Sequence, residues 1–265
     1  MITKQRHGPW AVVLGASEGI GSAFAHRAGA AGLNVVVVSR RTALLESLAE
    51  EIETASGVQC RAIAVDLSAA DAADALATRV ADLEIGLMVY NAGADTMARK
   101  FHDRSLDQVM TQVNLNVVTP TKLCHYWGGE MRARGRGGII LVGSMSGLAG
   151  TGWVATYSAT KAYNQILGEG LWRELKVSGV DAMVLVAGAT ATPAHQKMGA
   201  KVTKEYPPMD PDDVAREGLE ALGTGPLHIA GDANRAGFGM LAPVPREQLI
   251  EQMTHGTQLL FGVSD

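Results

Sequence analysis

The chain has 265 residues, 47% hydrophobic and 19% charged, with 31 glycines and a formal charge of −4. That length fits one large α/β domain as well as two small ones, and the mild acidic balance without a basic run argues against nucleic acid as a partner. Cys60 and Cys124 are isolated and point to neither a disulfide framework nor a zinc cluster.

Residues 10–14 read as a buried strand that runs straight into Gly15-Ala16-Ser17-Glu18-Gly19-Ile20-Gly21, followed by a helical pattern through Ala31. Glycines at such a turn let the backbone approach a pyrophosphate, and the helix N-terminus offers free N–H groups and partial positive charge. Gly15, Ser17, Glu18, Gly19, Ile20 and Gly21 are therefore candidate dinucleotide contacts. The competing reading is a tight turn with close helix packing. The spacing is Gly-x-x-x-Gly-x-Gly, not the general Gly-x-Gly-x-x-Gly.

A second strand, residues 34–39, ends in Ser39-Arg40-Arg41. A carboxylate at this point suits the ribose hydroxyls of NAD, whereas arginine suits a 2′-phosphate. Ser39 and Arg40 thus favour NADP(H) over NAD(H). Arg41 lies beside them and reads first as a solvated helix-start residue, and Glu18 counts slightly against NADP(H).

A helix over 43–56 leads to a strand over 58–65 closed by Asp66-Leu67. A helix over 69–83 leads to a strand over 85–91 that continues into Asn91-Ala92-Gly93. At strand ends these five residues are placed to border an adenine ring and its ribose. Residues 105–133 read as one helix, 138–144 as a strand, 156–177 as a helix and 181–187 as a strand. Residues 227–230 complete the series. Continuous apolar strands alternating with helices predict a single doubly wound α/β domain with a mostly parallel sheet of seven strands and helices on both faces. A closing helix spans 246–260. No apolar run approaches the ~20 residues of a membrane span. The first ten residues lack the apolar stretch of a secretion signal, so a reducing cytoplasm is the expected setting.

The chemistry-bearing residues follow the fifth strand. Ser144 lies thirteen residues before Tyr157, and Tyr157 lies four before Lys161, one helical turn away on the same face. A nearby ammonium favours the phenolate and makes tyrosine a usable acid or base near neutrality. A serine hydroxyl can bond the same substrate oxygen that the tyrosine protonates. A nucleophilic serine does not fit, because the centre of Gly143 to Gly147 is Met145.

Taken in order, Gly15-x-x-x-Gly19-x-Gly21, Asn91-Ala92-Gly93, Asn114, Ser144 and Tyr157-x-x-x-Lys161 resemble the short-chain dehydrogenase/reductase family over nearly the whole chain. The resemblance implies a Rossmann-type fold and an NAD(P)-dependent oxidoreductase acting on an alcohol or carbonyl. It implies Tyr157 as general acid/base, Ser144 as orienter of the carbonyl, and Lys161 as holder of the nicotinamide ribose. Asn114 would anchor a proton-relaying water, with Asn116 as the competing candidate. Gly188, Thr190 and Thr192 keep the family spacing around the carboxamide, although Ala187 stands where the family has proline. The family's usual closing motif is missing near the C-terminus. The helices bearing Trp127 and Trp172 are those the family uses to form homodimers and homotetramers.

Met145, Leu148, Trp153 and Val154 suggest a roomy apolar pocket, with Met145 and Trp153 joining Ser144 and Tyr157 on the substrate. A hydrophobic ketone, aromatic or steroid-like, suits such a pocket. Residues 193–208 occupy the stretch used as a mobile lid in the family, where His195, Met198, Tyr206 and Met209 could line the pocket or simply form a surface helix and loop. The histidines show no metal-ligand spacing. A non-catalytic NADP sensor and an epimerase of the extended relatives are the rival readings. The retained catalytic positions oppose the first, and the glycine spacing opposes the second.

Overall fold

The computed structural model describes residues 2–95, 97–197 and 207–264. Seven strands form one sheet: β1 (Trp10–Leu14), β2 (Asn34–Ser39), β3 (Cys60–Ala64), β4 (Ile85–Tyr90), β5 (Gly137–Ser144), β6 (Val180–Ala187) and β7 (Leu227–Ile229). Their order is β3-β2-β1-β4-β5-β6-β7, and every pairing is parallel. The chain winds outward from β1 to β3, then crosses back to β4. That reversal opens a crevice at the carboxyl ends of β1 and β4, where ligands of doubly wound sheets bind.

The central strands β1 and β4 are apolar and buried along their length because both faces are covered. In β1, Ala11 and Val13 pack toward one layer while Val12 and Leu14 pack toward the other. The helices are α1 (Lys4–His7), α2 (Gly19–Ala30), α3 (Thr42–Ser56), α4 (Ala72–Arg79), α5 (Leu106–Val113) and α6 (Thr119–Arg134). They continue with α7 (Ala155–Lys176), α8 (Pro193–Lys197), α9 (Pro211–Ala221), α10 (Asp232–Leu241) and α11 (Arg246–Phe261). Phe24 of α2, Leu45 and Ile52 of α3, and Val214 of α9 fill one layer. Leu76 of α4, Leu123 and Trp127 of α6, and Leu175 of α7 fill the other. Among the described residues no helix is long and apolar enough to cross a membrane.

Two expected helices are altered for identifiable reasons. The Asp66 carboxylate accepts from the backbone and hydroxyl of Ser68, and the Ala69 N–H bonds the Asp66 carbonyl, so α4 starts only at Ala72. The single helix expected over 105–133 is split by a π-helical turn, Asn114–Val118, between α5 and α6. Such a turn carries one extra residue and changes which side chains face the neighbouring helix. There the Thr119 N–H reaches the Asn114 carbonyl, and the Tyr90 hydroxyl bonds the Leu115 carbonyl. Helices α9 and α10 were not among the expected elements: α9 opens on an Asp210 side chain that accepts from the Asp212 N–H with Pro211 in its first turn, and α10 runs unbroken through Gly237 and Gly239. Of the expected lid, residues 198–206, with Met198 and Tyr206, lie outside the described residues; the 193–197 part forms α8.

Candidate active site

Carboxyl ends of β1, β2, β3, β4, β5 and β6 converge on one cleft of about 750 Å³. At its first end the glycine turn after β1 is fixed by sterics. Gly15 has φ +80, and a Cβ there would lie 2.8 Å from the Ala92 backbone nitrogen. The Asn91 side chain donates to the Gly15 carbonyl at 3.1 Å, tying the turns after β1 and β4 together. Ser17, Glu18 and Ile20 line the cleft, whereas Gly19 and Gly21 stand behind it as packing positions. Any Cβ on Gly21 would fall 2.1 Å from the Gly15 carbonyl oxygen.

Ser39, Arg40 and Arg41 line the same end, opposite Asp66 and Leu67. The expectation of a merely solvated Arg41 is corrected by its contacts. Its guanidinium donates to Glu18 Oε2 and to Ser17 Oγ, each at 2.6 Å. Arg40 is the exposed one.

Ser144, Tyr157 and Lys161 meet at the other end. Ser144 ends β5 and Tyr157 lies in the first turn of α7, so strand and helix bring the two hydroxyls to the same part of the cleft. Burial pushes the Tyr157 phenol above its ordinary value, the Ser144 hydroxyl opposes that rise, and the Asp95 charge adds to it. The expected lowering of this phenol by Lys161 is thus corrected: desolvation dominates. Lys161 Nζ sits 5.7 Å from the Tyr157 ring centroid and donates to the Val142 carbonyl at 2.9 Å. Burial lowers its pKa to about 8.

Asn114 does not line the cleft. Across the π turn it is Asn116 that faces α7. It is 1% exposed, and its amide donates to Thr160 Oγ1 at 2.9 Å. Thr160 in turn bonds the Tyr157 carbonyl. Gly93 permits this approach, since with φ +105 a Cβ there would lie 1.7 Å from Asn116 Oδ1. Ala92 and Gly93 themselves line the cleft, as do Gly188, Thr190 and Thr192. Thr192 lies over the glycine turn, and its hydroxyl caps α8 by accepting from the His195 N–H at 3.1 Å.

Met145 and Val154 line the substrate end, but Trp153 does not. The Trp153 backbone is left-handed at φ 67, its carbonyl accepts from Arg99 N, and its ring lies 5.0 Å from Lys100 Nζ. These contacts assign it to clasping the 97–100 segment rather than to the substrate.

Sequence reasoning missed Asp95 and the particular residues that the C-terminal helix brings to the cleft. Asp95 lines the cleft and pairs at 2.7 Å with Arg104, both side chains only 4% exposed; its sole signal is its place two residues after Gly93. Helix α11 supplies Thr257, Leu260 and Phe261, and is anchored by Thr254 Oγ1 accepting from Gly152 N at 2.9 Å. Arg246 also donates to the Leu148 carbonyl. Helix α11 therefore forms part of the cleft wall. The amphipathic 246–260 pattern was the available signal. Among the described residues no cluster of His, Cys, Asp or Glu could hold a metal.

The family model for short chain dehydrogenases matches residues 9–203. A 7beta-hydroxysteroid dehydrogenase of Clostridium sardiniense is 35% identical over 94% of this chain and 96% of its own. A solved structure from a study of 7beta-hydroxysteroid dehydrogenase stereoselectivity superimposes with a TM-score of 0.88 at 30% identity, covering 96% of this chain and 99% of its own. A short-chain dehydrogenase from Sphingobium yanoikuyae in complex with NADPH gives a TM-score of 0.78 at 27% identity, over 90% and 96% of the two chains.

Proposed function

The chain belongs to the short chain dehydrogenase family, and from that premise we propose that it is an NADP(H)-dependent oxidoreductase interconverting a steroid-like ketone and its secondary alcohol. One observation carries the reading. A single cleft joins the Arg40–Arg41 end to the buried Ser144–Tyr157 pair, and its far wall is apolar, with Met145, Val154, Leu260 and Phe261. The hydroxysteroid dehydrogenases named among the relatives support the substrate class, and the NADPH complex supports the cofactor.

The residues present fit a dinucleotide. Gly15 and Gly93 line the cleft at the turns after β1 and β4, and Arg40 offers a fork for a 2′-phosphate. Asp66, Leu67, Asn91 and Ala92 would border the adenosine, and Gly188, Thr190 and Thr192 the carboxamide. When bound, the nicotinamide supplies or accepts the hydride.

In reduction, negative charge grows on the carbonyl oxygen. The Ser144 and Tyr157 hydroxyls aimed at that atom stabilise it, and Tyr157 gives up its proton. A phenol held protonated by burial is loaded for that step. Lys161, buried beside it with a pKa near 8, can return a proton toward Tyr157. Asn116, rather than Asn114, is the better-placed residue to hold the proton route, because it reaches the catalytic helix through Thr160. The chain is proposed to act in the cytoplasm as a homodimer or homotetramer, which light scattering would report.

A panel of hydroxysteroids, ketosteroids and small carbonyls, followed by NADPH absorbance in both directions, tests the reading. Turnover concentrated on steroids is expected. Preference for small hydrophilic carbonyls would overturn the substrate class, and cofactor binding without turnover of any carbonyl would favour a sensor.

A further inference from the structure

Glu18 occupies the N-cap position of α2, yet its side chain makes no capping hydrogen bond. It reaches across the cleft instead and takes the Arg41 guanidinium at 2.6 Å, while Ser17 holds the other terminal nitrogen at the same distance. Arg41 likewise makes no side-chain cap for α3. Both side chains line the nucleotide end of the cleft, Glu18 at 28% and Arg41 at 40% side-chain exposure.

Charge at this end is balanced: Glu18 and Asp66 face Arg40 and Arg41. A carboxylate on a guanidinium uses the same forked geometry that a phosphate uses. A phosphate monoester brings about −1.5 to −2 charges at neutral pH. Such a group must either displace Glu18 from Arg41 or rely on Arg40 while facing a nearby carboxylate.

We propose that Glu18 is a specificity-determining residue, an internal competitor for Arg41 that holds the discrimination between NADP(H) and NAD(H) below what the two arginines would otherwise give. This inference rests on the NADP(H) reading for the place of the 2′-phosphate. NAD(H), lacking that phosphate, leaves the Glu18–Arg41 pair intact and is indifferent to it.

Fluorescence titration of NADPH and NADH into the protein and its Glu18→Gln variant tests this without turnover. The NADPH-to-NADH affinity ratio should rise about three- to tenfold in Glu18→Gln, all of it in NADPH, as expected for relief of a partly screened like-charge contact. Arg41→Met should lower the same ratio. An unchanged or falling ratio in Glu18→Gln overturns the proposal, because Glu18 would then be idle or would be orienting Arg41 for the phosphate. An unchanged NADPH affinity in Arg41→Met overturns it too. If the parent binds both cofactors equally and Arg40→Ala alters neither, the NADP(H) reading fails on its own, and the Glu18→Gln ratio still decides the role of Glu18.

Discussion

At the nucleotide end of the cleft, the walls are backbone and short side chains held at consecutive strand ends. Gly15 and Gly93 are fixed there by contacts that a single added carbon would break, and Asn91 by its hydrogen bond to the Gly15 carbonyl. The substrate end is assembled from remote pieces: residues 94–95 and 97–104, the turn after β5, α8 and α11. They are joined by a few polar ties such as Gly152 to Thr254, Arg246 to Leu148 and Arg99 to Trp153. One end is specified by the sheet itself and tolerates little. The other is hung on the sheet by a few ties and is free to differ in shape, as the proposed selection among hydrophobic ketones would require.

That contrast can be broken first where the two ends meet. Tyr157→Phe should cut kcat by about 10²–10⁴-fold while NADPH titration stays near the parent value; full turnover would refute the assigned chemistry. Arg104→Met strands the buried Asp95 charge and should cost about 3–5 kcal/mol of stability, read by denaturant unfolding. It should also push the Tyr157 phenol further up, shifting the pH profile of alcohol oxidation to higher pH. Arg40→Ala should weaken NADPH by about 1.5–3 kcal/mol and leave NADH almost untouched; equal losses for both cofactors contradict the phosphate assignment. Thr254→Val, which loosens α11 from Gly152, should cost about 1 kcal/mol, seen as a KM rise of several-fold for bulky ketones and none for NADPH. A KM unchanged for every carbonyl would remove α11 from the substrate wall.

The same division explains what could be read from the residues alone. Strand positions and the nucleotide end were legible because buried parallel strands need unbroken apolar runs, and turns after them need glycine where backbone approaches backbone. The expected β1 and β2 bounds coincide with those found. Ser144, Tyr157 and Lys161 were legible because strand end and helix face place them at fixed offsets. Asn116 was harder: a π turn adds a residue to the helical phase, and regular 3.6-residue periodicity cannot register that. Trp153 was misassigned because its direction depends on a left-handed backbone with no glycine to announce it. Asp95, Leu260 and Phe261 reach the cleft through tertiary packing over long separations, for which local pattern carries no marker.

Lys161 has a consequence for the whole molecule when regarded as a site of proton exchange with solvent. Its amine titrates at 10.5 in the open chain and at about 8 when folded. Between those values the unfolded chain binds more protons than the native one, so this group makes stability increase with pH. The folding penalty is fully present below about 8 and absent above 10.5. In Lys161→Met the penalty is gone. Its unfolding free energy relative to the parent should therefore be most favourable at pH 7 and lose that advantage toward pH 10. Buried Lys161 thus makes the chain less stable at neutrality than a copy with an uncharged side chain at this position.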